Sequence, residues 1–384
     1  MDFTTVAAAL LFAFGLLVTD AVLRSGSVAV EVAAPENIFK RVIDQQSLET
    51  VFTSQLDHIA ATVSVAKAPE IRSSRDVGIG MTLADSVNVK PIAFALQRQF
   101  GITPDRLRFA LFMENGSVHG VVSGYGRSIG EFTQEFDPDK GEKLVNFIQR
   151  CATWGASQLA PYTTALYLLQ HHGNGDDFRD VVALAAHTLS MLPPVPINED
   201  RSRFENLLGL VQLFRNDPRK AQRYFQAAAD AQPGSPVPAL NLAFAELQLD
   251  DNAAAAARMR ALLDRMRSLL DSASRTHTSV IAAAHMTLAA ALMGLHDLDD
   301  AEAELKLALA NNPDSSSAME LLAELKQERG DAAAAQRLNS LAGQDTTAVE
   351  NVGELAALYF HLSWRDKEPV IRSRFSNPGV VTLH

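Results

Sequence analysis

The feature that most constrains this sequence is a pattern of small and apolar residues that recurs every 34 residues in its C-terminal half. In the first clear unit, 202–235, unit positions 7, 8, 20, 24, 27 and 32 are Leu208, Gly209, Ala221, Phe225, Ala228 and Pro233. In unit 282–315 the same six positions are Leu288, Ala289, Ala301, Leu305, Ala308 and Pro313. Self-similarity at this period is typical of chains that fold as a row of repeated supersecondary units.

Two further units keep part of the pattern. Unit 236–269 lacks the terminal proline but retains Leu242, Ala243 and Ala255. About twelve extra residues, 270–281, then delay the next unit. Unit 316–349 has, at positions 7, 8, 15, 20 and 27, Leu322, Ala323, Gly330, Ala335 and Ala342. The pattern therefore predicts four helical hairpins with one insertion.

The pattern has a physical reason. Small residues at positions 8, 20 and 27 let two antiparallel helices approach closely, and larger apolar residues fill the gaps between hairpins. On these residues the segment resembles the tetratricopeptide repeat (TPR) family over roughly 150 residues. The spacing also predicts that Ala301 and Ala308 lie at helix crossings and cannot be enlarged, whereas Glu302 tolerates replacement.

The resemblance implies binding of a protein partner in a groove lined by the first helix of each hairpin. The positions that line such a groove in the family fall on Arg203, Asn206, Leu210, Leu213, Phe214, Leu240, Phe244, Met286, Glu320 and Glu324. This groove is apolar with an acidic end, which favours a partner that carries some basic charge. The Lys, Asn and Arg set that clasps a C-terminal carboxylate is absent apart from Arg203 and Asn206, which argues against a receptor for chaperone tails.

Three alternatives stay open for these residues. Leu213, Phe214 and Phe244 are core if a neighbouring helix or the middle domain buries them. The repeats can instead pack on a second copy of the chain, as a structural subunit of a membrane complex. An enzyme would place its active site in residues 27–157, but no catalytic motif, zinc spacing or nucleotide fingerprint supports one.

The N-terminus contains an uncharged run, from Phe3 to Thr19, and apolar residues resume after Asp20. A helix over 3–23 is about 30 Å long at ~1.5 Å per residue, which matches a bilayer core. We expect an uncleaved membrane anchor, with a signal peptide cleaved near Ser27-Val28-Ala29 and a buried helix as the alternatives. We expect a single-pass protein of a bacterial-type inner membrane, with the soluble part exported to the periplasm, although Arg24, Lys40 and Arg41 favour the opposite, cytoplasmic orientation.

Residues 27–157 have the periodicity of a small α+β domain. Strands are predicted at 27–32, 77–83, 107–112, 118–123 and 128–136, and helices at 47–66, 91–100 and 139–155. Asn115-Gly116 between the third and fourth strands indicates a two-residue hairpin turn. The single cysteine, Cys151, is interpreted as a packing residue.

The sequence thus predicts a mainly α protein with a TPR-like α-solenoid. Its parts are a transmembrane anchor (1–26), the α+β domain (27–157), a degenerate helical hairpin and linker (158–200), the repeats (201–349), a capping helix (350–365) and a tail (366–384). The net charge is −11, and no segment of the sequence gathers a basic patch. Nucleic-acid binding therefore has no electrostatic support. No cofactor or small-molecule substrate is indicated.

Overall fold

The structure is a computed structural model that describes residues 27–34, 43–62, 70–73, 105–115, 117–125, 131–137, 142–171, 178–267 and 275–342. The chain forms two compact units, 1–167 and 168–384. Outside the described residues lie the predicted anchor at 3–23, the strand at 77–83, the helix at 91–100, the capping helix at 350–365 and the tail. Within the described residues, no helix is both long and apolar enough to cross a bilayer.

In its described residues, the first unit contains a five-stranded sheet and two helices that pack on it. In chain order these are β1 (Ser27–Ala33), α1 (Gln45–Thr62), β2 (Glu70–Ser73), β3 (Asp105–Glu114), β4 (Ser117–Tyr125), β5 (Glu131–Phe136) and α2 (Leu144–Leu159). The strand order is β2-β1-β3-β4-β5. β1 runs parallel to β2 and β3, and β3, β4 and β5 form an antiparallel meander.

The hairpin expected at Asn115-Gly116 is confirmed. Glu114 pairs with Ser117 across the turn, and Asn115 has a φ of 49°, in the left-handed region that such turns require. The strand β2 was not predicted, because four residues are too few to establish a period-2 pattern.

Alternate residues of the strands face α1 and α2 and form the core of this unit. Phe109 of β3 stacks on Phe52 of α1 with ring centroids 4.5 Å apart. From α2, Phe147 and Cys151 are fully buried beside them. The predicted two-layer α+β arrangement is therefore present in the described part of this unit.

The helices that follow form the rest of the described chain. They are α3 (Pro161–His171), α4 (Arg179–Met191), α5 (Glu199–Phe214), α6 (Pro218–Ala231), α7 (Pro236–Leu247), α8 (Asn252–Arg267), α9 (Arg275–Gly294), α10 (Leu298–Asn311), α11 (Ser316–Glu328) and α12 (Ala332–Ala342). From α5 onward they pair as four hairpins, and consecutive hairpins also pack on each other. The helical repeats expected from the 34-residue pattern are present.

The four hairpins share one turn geometry, which the sequence pattern did not reveal. Two or three residues after each first helix ends there is a residue with positive φ: Asn216 (60°), Asp250 (59°), His296 (61°) and Gly330 (81°). The N–H of this left-handed residue donates to the carbonyl three residues before it. The N–H of the following residue donates to the carbonyl five residues before itself, and all these bonds measure 2.8 to 3.1 Å. This pair of bonds satisfies carbonyl groups that the helix end would otherwise leave unpaired.

The residue after each left-handed position is aspartate in all four turns: Asp217, Asp251, Asp297 and Asp331. Three of these side chains cap the second helix by accepting a bond from the N–H three residues later, at Lys220, Ala254 and Ala334. The same short sequence thus ends one helix and starts the next.

The insertion at 270–281 follows α8 and lengthens α9 at its N-terminal end. α8 continues to Arg267, and α9 begins at Arg275, seven residues before the third unit starts. Val280 and Ile281 are buried within this extension. The turns before the insertion, at Asn216 and Asp250, and those after it, at His296 and Gly330, keep the 34-residue spacing of the repeat.

Candidate partner-binding site

The first helices of the four hairpins, α5, α7, α9 and α11, pack side by side, and we refer to them as the first-helix row. Eleven of the sixteen residues of α5 and ten of the twelve residues of α7 are buried. In the second helices, four of the fourteen residues of α6 and three of the fourteen residues of α10 are buried. The first-helix row is therefore interior at α5 and α7, as expected of a helix that is apolar on all sides.

This burial favours the alternative in which the apolar residues assigned to the groove are core. Six of the residues assigned to it have no more than 6% of their surface exposed: Leu210, Leu213, Phe214, Leu240, Phe244 and Met286. Each first helix contacts both its own second helix and the neighbouring first helices, which leaves little free surface. Phe214, in addition, stacks on Phe178, with centroids 5.6 Å apart. Contact between a partner and these six side chains stays a prediction. Their burial by neighbouring helices does not support it.

Asn206 is also buried, and it pairs with Asn241 in the next first helix. The Asn241 Nδ2 donates to Asn206 Oδ1 at 2.9 Å. This bond joins two repeats inside the row, so Asn206 has a structural role here.

Arg203, at the start of α5, is largely exposed, but it forms ion pairs on its own helix. Its guanidinium lies against Glu199 one turn earlier and 3.8 Å from Asp200. Its charge is therefore largely satisfied locally.

The first-helix row becomes accessible at α11. Only five of its thirteen residues are buried. Glu320 is half-buried, and Glu324 and Glu328 are exposed one and two turns later, together with Gln327. We call Glu320, Glu324, Gln327 and Glu328 the α11 face.

The carboxylates of the α11 face influence one another. Partial burial of the carboxyl group, and then the nearby charge of Glu328, raise the pKa of Glu324. Glu328 also lies 3.9 Å from the His296 ring. Three glutamates at four-residue spacing create a negative potential that a cationic group would relieve.

An ion-pair network holds α11 against α10. The Glu302 Oε1 of α10 lies 2.8 Å from the Nζ atoms of both Lys306 and Lys326, and its Oε2 lies 3.0 Å from the Arg329 Nη1. These hydrogen bonds and charges lower the pKa of Glu302 to about 2. Glu302 is therefore not the neutral surface position that the sequence analysis predicted. In the sequence, Glu302 precedes Lys326 by 24 residues and Arg329 by 27 residues. The 34-residue pattern does not include spacings of this kind, so it did not predict the network.

A second charged pair was also missed. Glu246 is buried in α7, and both carboxylate oxygens accept bonds from Arg258 of α8, at 2.7 to 3.2 Å. It occupies unit position 11, where an apolar residue is usual in this repeat pattern. A carboxylate at a position that is usually apolar, with an arginine on the second helix of the same hairpin, would have predicted this ion pair.

The α+β unit offers little reactive chemistry in its described part. Burial raises the pKa of the Cys151 thiol to about 12, so the sulfur is protonated at neutral pH and is a poor nucleophile. His119 stacks on Phe112 in the neighbouring strand. Among the described residues, no group of three His, Cys, Asp or Glu side chains is arranged to hold a metal ion.

No protein-family model matches this chain, and no curated protein matches it. Among solved structures, MamA is similar at 14% identity with a TM-score of 0.33, over 43% of this chain and 85% of that one. The ArsTM double mutant of MamA matches at 12% identity with a TM-score of 0.35, over 48% and 93%. Scores this low carry no argument, and the helical-repeat description rests on the hairpins and turns above.

Proposed function

We propose that this chain is a scaffold that binds a protein partner at the α11 face, and that residues 3–23 attach it to a membrane with the repeats on the exported side. The observation that carries the binding proposal is the change in burial along the first-helix row. The row is closed at α5 and α7 and accessible at α11, where it presents carboxylates.

The chemistry of the α11 face favours a basic partner. A Lys or Arg side chain placed between Glu324 and Glu328 would separate two like charges and offset the burial of Glu324. Because a cation favours the ionised carboxyl group, binding releases a proton wherever Glu324 is partly protonated in the free protein. Binding should therefore weaken as the pH falls through the raised pKa of Glu324. Charge complementarity of this kind mainly increases the rate of association.

Site-specific crosslinking tests the binding site. A photoreactive amino acid at Gln327 should form an adduct in cells, whereas the same amino acid at Gln336, exposed on α12, should not. After the adduct is identified by mass spectrometry, the double variant Glu320→Gln/Glu324→Gln should slow association and flatten its salt dependence. An adduct with another copy of this chain supports the self-assembly alternative instead. Equal adducts from both positions would show that the α11 face has no special role.

The membrane proposal has a separate test. Intact protein should stay in the membrane fraction after a carbonate wash, because an apolar helix of this length resists extraction. Release of intact protein into the supernatant would refute attachment. A mature N-terminus near residue 30 would show that the segment is a cleaved signal peptide. Digestion of the repeats by protease added to intact spheroplasts is expected if they are exported.

A further inference from the structure

The segment between α4 and α5 exposes an unusual amount of apolar surface. Met191, Val195 and Ile197 have 73%, 45% and 71% of their surface exposed. Pro193, Pro194 and Pro196, which lie between them, are also exposed. A cluster of apolar side chains in contact with solvent often marks a contact site.

The backbone of this segment has little capacity to pair with a strand. Three of the four residues from 193 to 196 are prolines, which have no N–H, so Val195 provides the single backbone donor. That N–H already donates to the Pro193 carbonyl at 2.9 Å, in a three-residue turn. Between residues 193 and 196, a partner that added a β-strand would therefore find carbonyl acceptors but no N–H group that is not already bonded.

The two ends of the segment are fixed in the fold. Leu192, directly after α4, has φ −72° and ψ 141°, which is the polyproline II conformation. At the other end, the Asn198 N–H donates to the Ala231 carbonyl at 2.9 Å, and its side chain caps α5. The segment is thus held at the surface between two anchored points, which limits the conformational entropy that binding has to remove.

We propose that residues 192–197 are a docking segment for a partner domain whose groove is lined by aromatic side chains. Pro193 and Pro196 are three residues apart, so in a polyproline II helix their rings lie on one edge, with Val195 beside them. Such rings pack on the faces of Trp and Tyr, whose N–H and O–H groups can donate to the free carbonyls. A polyproline II helix from Leu192 through Pro196 would require the Val195 N–H to leave the Pro193 carbonyl.

This inference is independent of the α11 face, because it involves a different segment and a different partner chemistry. The probe is a panel of purified SH3 and WW domains, whose grooves are lined by aromatic residues, titrated with the labelled full-length protein. We expect at least one domain to bind, and the double variant Pro193→Ala/Pro196→Ala to weaken that binding at least tenfold. Pro313→Ala, the same change at an exposed proline of a repeat loop, is the matched control and should leave binding unchanged.

Three results would overturn the inference: no domain in the panel binds, the double variant binds as well as the unmodified protein, or Pro313→Ala weakens binding equally. A concentration-dependent dimer that the double variant abolishes would also overturn it, because the segment would then contact a second copy. If the double variant misfolds by circular dichroism, Ile197→Ser replaces it. This change alters one exposed side chain, and it should also weaken binding.

Discussion

Gly209 of α5 lies directly against the ring of Phe225 of α6. A Cβ atom at Gly209 would overlap the Phe225 Cε1 and stand 2.5 Å from its Cδ1, closer than real Cβ contacts allow. The two residues occupy positions 8 and 24 of the first unit, so the small residue of the repeat pattern accommodates the large one within the same hairpin. The absence of a side chain at Gly209 therefore sets the separation of the two helices.

We predict that Gly209→Ala lowers the free energy of unfolding by about 1 kcal/mol or more. Overpacking costs roughly 1–3 kcal/mol, and the better helix propensity of alanine returns at most about 1 kcal/mol. Urea denaturation measures the change. Gly234→Ala is the control, since a Cβ there has no neighbour within 4 Å. If Phe225→Leu is added, the two changes should be coupled, and strict additivity would contradict the contact.

Ala301→Leu should lower the free energy of unfolding by roughly 1–3 kcal/mol, because Ala301 is fully buried where α10 packs. Ala303→Leu is the matched control on the same helix, since Ala303 is exposed. It replaces Glu302 as the comparison, because Glu302 takes part in ion pairs with Lys306, Lys326 and Arg329. Equal thermal shifts in the two alanine variants would show that the repeat spacing is misassigned.

Glu302 should contribute to stability in a pH-dependent way. Its pKa is about 2 in the folded chain and 4.5 in the reference state. A carboxyl group with a lowered pKa stabilises the fold above its unfolded pKa, and this stabilisation is lost as the pH falls towards the folded value. The urea midpoints of the unmodified protein and Glu302→Gln should therefore differ at pH 6 and converge between pH 4.5 and 2. Asp300→Asn, at an exposed neighbour, should show no comparable convergence.

The left-handed turn positions predict two substitutions with opposite effects. Gly330→Ala should destabilise by about 1 kcal/mol, because a Cβ is unfavourable at a φ of 81°. His296→Gly should stabilise the protein by a similar or smaller amount, since His296 holds the same conformation with a side chain. The His296 side chain is exposed, so the loss of its contact with Glu328 should matter little. Changes of the same sign, measured by urea midpoint, would contradict the turn assignment.

Phe244→Ala is expected to act on stability and not on partner affinity. Phe244 is almost completely buried, and removal of a buried phenylalanine side chain costs about 3–5 kcal/mol. Leu307→Ala, at a half-exposed position of α10, should cost much less. If Phe244→Ala unfolds normally but loses a partner, the open-groove expectation would be restored.

The repeat and its spacing could be predicted because close packing of helices leaves few residue types possible at positions such as Gly209 and Ala301. The shared turn was harder to find. Gly330 has the residue type most often found in a left-handed conformation, whereas Asn216, Asp250 and His296 are polar types that tolerate it but are common in other loops. Composition alone could not distinguish these residues from ordinary polar loop residues.

The accessibility of the candidate site could not be derived from the repeat pattern. Residues such as Leu240 and Phe244 fit either an open groove or a core, since the pattern specifies which helix face they occupy but not what covers it. The Glu302 network was missed for a related reason, because it joins two units, while the pattern describes residues within one. Long-range pairing of this kind becomes visible only when the helices are placed in space.

The identical turns also make the hairpins exchangeable in a simple way. If residues 217–250 were removed, Asn216 would be followed directly by Asp251, so a left-handed residue would again be followed by an aspartate that caps the next helix. The shortened chain would need no new loop, and the reverse operation could add a repeat at the same place. The natural module for engineering the length of this protein is thus a cassette that begins at a capping aspartate and ends at the next left-handed residue, not the unit with which the sequence pattern begins.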